Sequence, residues 1–391
     1  MAHYPAMLNF TYHNPTKIVF GRGSIGQLKK LVPADAKVLM IYGGGSIRRN
    51  GVYDQVVQSL RKQSLTEFSG IEPNPRYETC LKAVEQVRAE NIDFLLAVGG
   101  GSVLDATKFI AAAAKYSGDE PWDMFSNWAL VPKDPLPVGC VLTLPATGSE
   151  SNGGAVISRE ATHEKLYFTS PQSFPRFSIL DPEATYTLPP RQTANGIVDA
   201  FIHTTEQYLT YPADAPLQDR QAEAVLRTLV EEGPKALGDP RNYAVRANLM
   251  WCATQALNGL IACGVPQDWA THDIGHELTA LYGIDHARSL AIVHPGVLRH
   301  ERDRKRAKLV QFAERVWGIR NGDDDARAEE AIDRMEKFFH LLGVGTRLSD
   351  YNIPPDAAET VAARLAKYGK RLGEHGDLGH KEIREILAMR T

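Results

Sequence analysis

Three consecutive glycines stand at the centre of Leu95-Leu96-Ala97-Val98-Gly99-Gly100-Gly101-Ser102-Val103-Leu104-Asp105, and this stretch indicates the architecture more clearly than any other. An apolar, β-forming run precedes the glycines, and an alanine-rich helical pattern follows them. A strand that passes through glycines into the start of a helix presents free N–H groups and the positive end of a helix dipole, which suits a pyrophosphate. The same pattern also fits a plain tight turn, so both interpretations stay open at this point.

Short β-rich runs alternate with helical stretches outward from this loop, up to about residue 188. The β-rich runs span residues 17–20, 37–42, 94–98, 138–144 and 176–180. Such alternation predicts an α/β domain with a mainly parallel sheet.

The second half of the sequence shows a different pattern. Residues 187–191 are proline-containing and break the alternation. Beyond them, amphipathic stretches such as 216–233 and 246–261 have helical spacing without clear strands. We predict an α/β domain at residues 1–188 and an all-helical domain at residues 189–391.

The composition predicts a globular protein, since 43% of its 391 residues are hydrophobic and 23% are charged. The net charge of -3 provides no basic field for nucleic acid, and neither nucleic acid nor a membrane is an expected partner. Residues 1–10 lack the pattern of a signal peptide, so we expect a cytoplasmic protein. The four cysteines form no C-x-x-C pair, and any metal must therefore be held by histidines and carboxylates.

A second glycine loop, Gly43-Gly44-Gly45-Ser46, follows the predicted strand 37–42. Folds that prefer NAD place an acidic residue at the end of such a strand, where it holds the ribose 2′-hydroxyl. This loop has no acid, and Arg48 and Arg49 follow it as residues suited to a 2′-phosphate. The loop therefore predicts NADP(H) as the cofactor rather than NAD(H).

Two other segments carry weaker indications of cofactor binding. Residues 21–26 match G-x-G-x-x-G, but the strand that would supply the ribose-binding acid ends in glycines, and a helix-start role is favoured. The hydroxyl-rich turn at residues 143–152 suits hydrogen bonds to a cofactor, and equally suits a plain capped turn.

Histidines and aspartates with helical spacing cluster in the second half. Asp199 and His203 lie four positions apart, hence on one helix face. His272 and His276 have the same spacing, and His286 follows a break in the helical pattern. One carboxylate with two or three imidazoles is a ligand set that suits divalent iron or zinc.

Taken together, these residues resemble the iron-containing (group III) alcohol dehydrogenases, most closely the branch of butanol dehydrogenases and NADPH-dependent aldehyde reductases. The resemblance extends over nearly the whole chain. The motifs that carry it are Gly99-Gly100-Gly101-Ser102 with Asp105, Thr147-Gly148-Ser149-Glu150, Asp199 with His203, and His272, His276 and His286.

The resemblance implies a Rossmann-like dinucleotide-binding domain followed by an all-helical metal-binding domain, the fold shared with dehydroquinate synthase. It implies one divalent metal, a homodimer, and a position for His276 beside the nicotinamide and substrate. The implied metal ligands are Asp199, His203, His272 and His286. The implied cofactor-binding residues are Gly43, Gly44, Gly45, Ser46, Asn74, Gly99, Gly100, Gly101, Ser102, Asp105, Thr143, Thr147, Asn152, Lys165 and Thr185.

The activity that follows from the resemblance is NADPH-dependent, metal-assisted reduction of short-chain aldehydes to alcohols, with His276 or a water relay as the proton donor. Two enzymes of the same fold class stay as alternatives. A sugar-phosphate enzyme would show clustered arginines and lysines near His272 to His286, and a hydroxyacid–oxoacid transhydrogenase would retain its nicotinamide through turnover.

One departure from the family pattern is His294, which stands where an apolar residue is expected before Pro295. This histidine would add an imidazole near the metal or, as we expect, lie in an outer or surface position.

Overall fold

The strands of the chain fall in its first half. The structure, a computed structural model, describes residues 6–391. In that part of the chain the strands are β1 (Lys17–Phe20), β2 (Lys37–Tyr42), β3 (Ser64–Phe68), β4 (Phe94–Gly100), β5 (Val138–Leu144), β6 (Gly154–Arg159), β7 (Glu164–Thr169) and β8 (Phe177–Leu180). The helices among them are α1 (Leu28–Leu31), α2 (Ser46–Arg49), α3 (Val52–Ser59), α4 (Tyr77–Ala89), α5 (Gly101–Lys115) and α6 (Asp123–Ser126).

The remaining α-helices follow without further strands among the described residues. They are α7 (Pro190–Tyr208), α8 (Pro216–Gly238), α9 (Tyr243–Ala256), α10 (Ala270–Tyr282), α11 (His286–His300), α12 (Arg302–Arg315), α13 (Asp324–Leu341), α14 (Ala357–Lys367) and α15 (His380–Ala388). The predicted combination of an α/β part and an all-helical part is confirmed. No described helix combines the length and the apolar character needed to cross a membrane.

A six-stranded parallel sheet, in the order β1-β8-β5-β4-β2-β3, forms the centre of the α/β part. Its inner strands are covered on both faces, as continuous apolar runs in parallel sheets require. In β4, Leu95 and Ala97 belong to the core under α4 and α5, whereas Leu96 and Val98 belong to the core under α1 to α3. The alternation of side chains along the strand divides this run between two cores.

The sequence analysis did not predict three of the strands, β3, β6 and β7. Each has a weak apolar pattern because it is not buried on both faces. Strand β3 is an edge strand with no fully buried residue, so its pattern is weak. Strands β6 and β7 form a separate antiparallel hairpin between β5 and β8, and they face solvent on one side.

The chain divides into two compact units. One contains residues 13–189 and 240–254, and the other contains 190–239, 255–391 and the described residues 6–12. This division differs from the predicted domains, 1–188 and 189–391, in two segments. The segment 240–254 packs with the sheet because α9 places Met250 in the core under α5 and donates a 2.6 Å hydrogen bond from Thr254 Oγ1 to the buried Glu150.

In the helical unit, α10 has an apolar side and a histidine-bearing side. Ala270, Ile274 and Leu278 recur one turn apart, and none of the three is exposed to solvent. They belong to one apolar core with residues of α11, α14 and α15. His272 and His276 are shifted by two residues from this apolar row, about 200° around the helix. Burial of the apolar row therefore turns both histidines to the opposite side.

Candidate active site

A carboxylate and two imidazoles from three helices converge in the helical unit. Asp199 of α7, His272 of α10 and His286 of α11 each offer a ligand atom, and these atoms lie within 4.8 Å of one another. His286 is the first residue of α11, three positions after Gly283, whose left-handed backbone with φ 66° ends α10. The three helices thus bring together residues that are far apart in the sequence.

Asp199 has the environment expected of a metal ligand. Its side chain is 4% exposed, and Oδ1 makes no hydrogen bond to any described residue. That oxygen lies 3.8 Å from Nε2 of His286 and 3.7 Å from Nδ1 of His203. Since a buried carboxylate without a partner is costly, a cation among these atoms would satisfy it. Oxygen and imidazole nitrogen are suitable donors for divalent iron or zinc.

His203 lies beside this group but is not one of the three mutually close ligands. It follows Asp199 by one turn of α7, is 4% exposed, and its ring stacks on that of His272 at 4.6 Å between centroids. Its role as the fourth metal ligand stays a prediction.

His276 lies next to the group on α10 and is partly exposed. Its ring centroid is 5.1 Å from that of His286 and 6.1 Å from that of His272. The imidazole therefore borders the candidate metal site without belonging to the ligand group.

Glu206 is a functional candidate that the sequence analysis missed. Its carboxylate forms a hydrogen bond with Nδ1 of His272 and accepts backbone N–H groups of Thr271 at 2.9 Å and His272 at 3.3 Å. Burial, and next the charge of Asp268, raise the pKa of Glu206 well above its ordinary value. A signal was present, because Asp199, His203 and Glu206 follow one another at i, i+4 and i+7 on one face of α7.

His294 is buried rather than exposed at the surface. Its exposure is 1%, and its ring nitrogens are 2.9 Å from the hydroxyls of Thr205 and Thr271. Burial lowers the pKa of His294 to about 3, so the ring is neutral. Because both nitrogens are engaged by hydroxyls, His294 lies behind the ligand group and supports the α7–α10 contact.

In the other unit, the predicted cofactor loops gather at one edge of the sheet. The strands β2, β4, β5 and β8 are parallel, so the loops that follow them share the carboxyl edge. The chain turns to opposite sides of the sheet after β2 and after β4, which makes the gap between these strands a topological switch point. The two glycine loops, 43–46 and 99–102, stand at this point, where open α/β sheets bind their ligands.

The loop after β4 needs its glycines because other chain segments approach closely. A Cβ atom on Gly101 would lie 2.4 Å from Oγ1 of Thr147, and one on Gly100 would lie 3.0 Å from Cβ of Leu144. The hydroxyl-rich turn after β5 therefore packs directly on the start of α5. Thr143 is also buried in this region.

Two predicted cofactor residues use their side chains inside the protein. Asp105 accepts hydrogen bonds from Oγ of Ser149 at 2.6 Å and from the N–H of Val156 at 3.1 Å. Thr185 is fully buried and donates to the carbonyl of Pro182 at 2.7 Å. These side chains hold the loops in place, whatever the neighbouring backbone binds.

Three further predicted cofactor residues form side-chain hydrogen bonds within the protein: Lys165, Asn74 and Asn152. Lys165 on β7 donates a 2.9 Å hydrogen bond to Asn74, which adopts a left-handed backbone with φ 57°. Asn152 accepts a 3.1 Å hydrogen bond from the buried Lys108. The hairpin that sequence patterns missed thus brings Lys165 to the predicted site residue Asn74.

The loop after β2 has an open face. Gly44 and Ser46 are exposed, and a Cβ on Gly44 would meet no atom within 4 Å. The guanidinium of Arg48 is engaged elsewhere. It forms a 2.6 Å ion pair with Glu67 and lies 3.9 Å over the ring of Tyr53. Arg49 is exposed, and it is the better candidate of the two for a phosphate.

A parallel sheet with glycine loops at its switch point and a helical unit with a buried carboxylate–imidazole group are features of metal-assisted, dinucleotide-dependent dehydrogenases. Comparison with known families agrees. Residues 15–182 match the family "Iron-containing alcohol dehydrogenase", and residues 193–390 match "Fe-containing alcohol dehydrogenase family, C-terminal". The chain belongs to the iron-containing alcohol dehydrogenase family.

Several relatives cover almost the entire chain. The NADPH-dependent aldehyde reductase YqhD of Escherichia coli is 57% identical over 374 residues, which are 95% of this chain and 97% of that protein. A probable NADH-dependent butanol dehydrogenase of Bacillus subtilis is 46% identical over 97% of this chain and 99% of its own.

Solved structures agree with the sequence matches. The crystal structure of E. coli YqhD superposes with a TM-score of 0.97 at 55% identity, over 99% of this chain and 100% of that one. The NADH-dependent butanol dehydrogenase A of Thermotoga maritima superposes with a TM-score of 0.95 at 38% identity, over the same shares. The resemblance stated from the motifs is confirmed.

Proposed function

We propose that this protein is an NADPH-dependent, metal-assisted alcohol dehydrogenase that acts mainly as a reductase of short-chain aldehydes. The observation that carries the proposal is the convergence of Asp199, His272 and His286 in a chain 57% identical to an NADPH-dependent aldehyde reductase. Relatives named as NADH-dependent also occur, so the preference for NADPH rests on the acid-free loop after β2.

Asp199, His272 and His286, joined by His203, would hold the metal ion. When bound, a divalent ion supplies a Lewis acid that polarises the aldehyde carbonyl. NADPH supplies the hydride, and the glycine loops at 43–46 and 99–102 would hold its phosphates through backbone N–H groups. The experiment that tests the activity also tests whether the metal is iron or zinc.

The arginines near the metal group favour the reductase over the sugar-phosphate alternative. Arg191 and Arg288 both contact Asp285, the residue before His286, where a phosphate-binding cluster would be needed. Arg191 forms a 2.8 Å ion pair with Asp285, and Arg288 donates to Asn195 at 3.2 Å. Both guanidinium groups are thus engaged by neighbours within the protein, which favours the reductase over an enzyme that needs them for a phosphate.

The proposed activity is tested by NADPH oxidation with butyraldehyde, measured on purified protein as prepared, after chelation, and after addition of Fe²⁺ or Zn²⁺. We expect activity that chelation removes and one of the two ions restores. Activity unchanged after complete removal of the metal would contradict the metal-assisted mechanism. Absence of turnover in every metal state would contradict the function as a whole.

We propose that His276 donates the proton that the product oxygen requires, directly or through a water molecule. Its ring is partly exposed and borders the ligand group. We expect His276→Ala to lower kcat by about 100-fold, within the range of general acid–base catalysis, and to change the pH dependence of kcat. The partly exposed His380, replaced by alanine, is the matched control. Full turnover of the His276 variant with an unchanged pH profile would refute the role.

The cytoplasmic location and the homodimer stay predictions. Light scattering after size-exclusion chromatography measures the second directly, and a monomeric mass would contradict it.

A further inference from the structure

We propose that Glu206 is a positioning residue of the metal site, which holds the imidazole of His272 so that Nε2 is the nitrogen offered to the metal. This inference rests on the proposed metal site. It adds to that site a residue that is not itself a ligand.

The carboxylate of Glu206 is buried against the start of α10. The side chain is 2% exposed, and its Oε2 forms the hydrogen bond with Nδ1 of His272. Its Oε1 accepts the N–H groups of Thr271 and His272, which belong to the first turn of α10 and lack partners within the helix. All of these contacts are made to His272 or to the residue before it.

The main chain of Glu206 holds the same segment. Its carbonyl accepts the N–H of Asp268 at 2.9 Å, and the side chain of Asp268 accepts the N–H of Ala270 at 3.0 Å. Lys305 forms a 2.8 Å ion pair with Asp268 in a fully buried position. The segment that leads into α10 is therefore held at Asp268 and Ala270 as well as at Thr271 and His272.

The hydrogen bond sets the protonation of the ring. Oε2 of Glu206 engages Nδ1. In the tautomer whose Nδ1–H donates to that oxygen, Nε2 carries the lone pair that a metal needs. A ligating histidine needs this arrangement, since the nitrogen that binds a metal must be unprotonated. Partners that fix the second nitrogen of a ligating histidine contribute strongly to metal affinity.

Glu206→Gln is an informative substitution because the amide has the same size but one acceptor oxygen. If that oxygen keeps the two backbone N–H groups, the amide N–H faces Nδ1 and the ring proton moves to Nε2. If the amide turns over, its N–H faces the two backbone donors. We expect Zn²⁺ to bind about 10- to 100-fold more weakly, the range found for partners of ligating histidines.

The measurement is the Kd of Zn²⁺ for metal-stripped full-length protein, by competition with a chromophoric chelator. Glu223→Gln is the matched control, because Glu223 is also a buried glutamate of the helical unit and accepts a 2.9 Å hydrogen bond from Tyr208. It does not contact the candidate ligands, so its Kd should equal that of the unchanged protein. Glu206→Asp, which keeps the carboxylate, should retain more affinity than Glu206→Gln.

A folded Glu206→Gln protein with unchanged Zn²⁺ affinity would overturn the inference, and so would an equal loss in Glu223→Gln. If Glu206→Gln does not fold, a crystal structure of the unchanged protein loaded with Zn²⁺ decides, since anomalous scattering locates the ion. Zinc on Nε2 of His272, with Nδ1 on Glu206, supports the inference, and zinc on Nδ1 or on Glu206 itself overturns it. Unchanged protein that binds no Zn²⁺ contradicts the metal site itself. Zn²⁺ binding without aldehyde reduction contradicts only the function.

Discussion

Replacing His272 by alanine is expected to lower aldehyde reduction by about 1000-fold or more, because loss of a metal ligand removes a Lewis acid that lowers the activation barrier by several kcal/mol. NADPH binding should change little. His272 lies in the helical unit, whereas the predicted cofactor loops belong to the unit built on residues 13–189 and 240–254. Steady-state kcat and a fluorescence titration with NADPH measure the two effects separately.

The control for this variant is His300→Ala, since His300 lies at the opposite end of α11 from His286 and pairs with Glu301 at 2.9 Å. It should keep both activity and metal content. A His272 variant that still reduces aldehyde after metal removal would show that the ligand group is not needed. A variant that loses NADPH binding as well would show that the two functions are not separable in this way.

Gly44→Asp is expected to reverse the cofactor preference, lowering the ratio of NADPH to NADH efficiency by about 100-fold or more, because like charges brought together cost several kcal/mol. The position accepts a side chain. Nothing lies within 4 Å of a Cβ on Gly44, whereas a Cβ on Gly43 would lie 3.1 Å from the carbonyl of Ile71 and Gly45 has a φ of 85°. The new carboxylate would repel a 2′-phosphate and accept a hydrogen bond from a 2′-hydroxyl.

The measurement is kcat/KM for each cofactor with one aldehyde at saturation. Gly44→Asn is the matched control, because it has the same size without the charge, and it should change the ratio less. An unchanged ratio in Gly44→Asp would contradict the assignment of this loop to the 2′-phosphate. A lower efficiency with both cofactors would indicate a distorted loop rather than a charge effect.

The elements that sequence patterns predicted are those whose signal is local. Strand β4 is an unbroken apolar run, and the glycines after it are required by the close approach of Thr147 and Leu144. Strand β3 was missed because its residues alternate weakly at the edge of the sheet. Residues 240–254 pack with the sheet unit, and no sequence pattern indicated this because a helical pattern does not show which core a helix covers.

The candidate site was likewise predictable only where its signal is local. Helical spacing places Asp199 with His203, and His272 with His276. The convergence of Asp199, His272 and His286 depends on packing among three helices, and it was available only through family resemblance. Contacts across long separations, such as Arg48 with Glu67 on the missed strand β3, were not predictable from either residue alone.

Residues 240–254 return to the sheet unit after the chain has entered the helical unit, and this has a consequence for folding during synthesis on the ribosome. The core under α5 lacks Met250, and the buried Glu150 lacks the hydroxyl of Thr254, until all of α7 and α8 has been translated. The sheet unit therefore cannot finish folding as the first domain to emerge, unlike domains made from one continuous segment. A fragment ending at residue 189 would lack both Met250 in the core under α5 and the hydroxyl of Thr254 at Glu150.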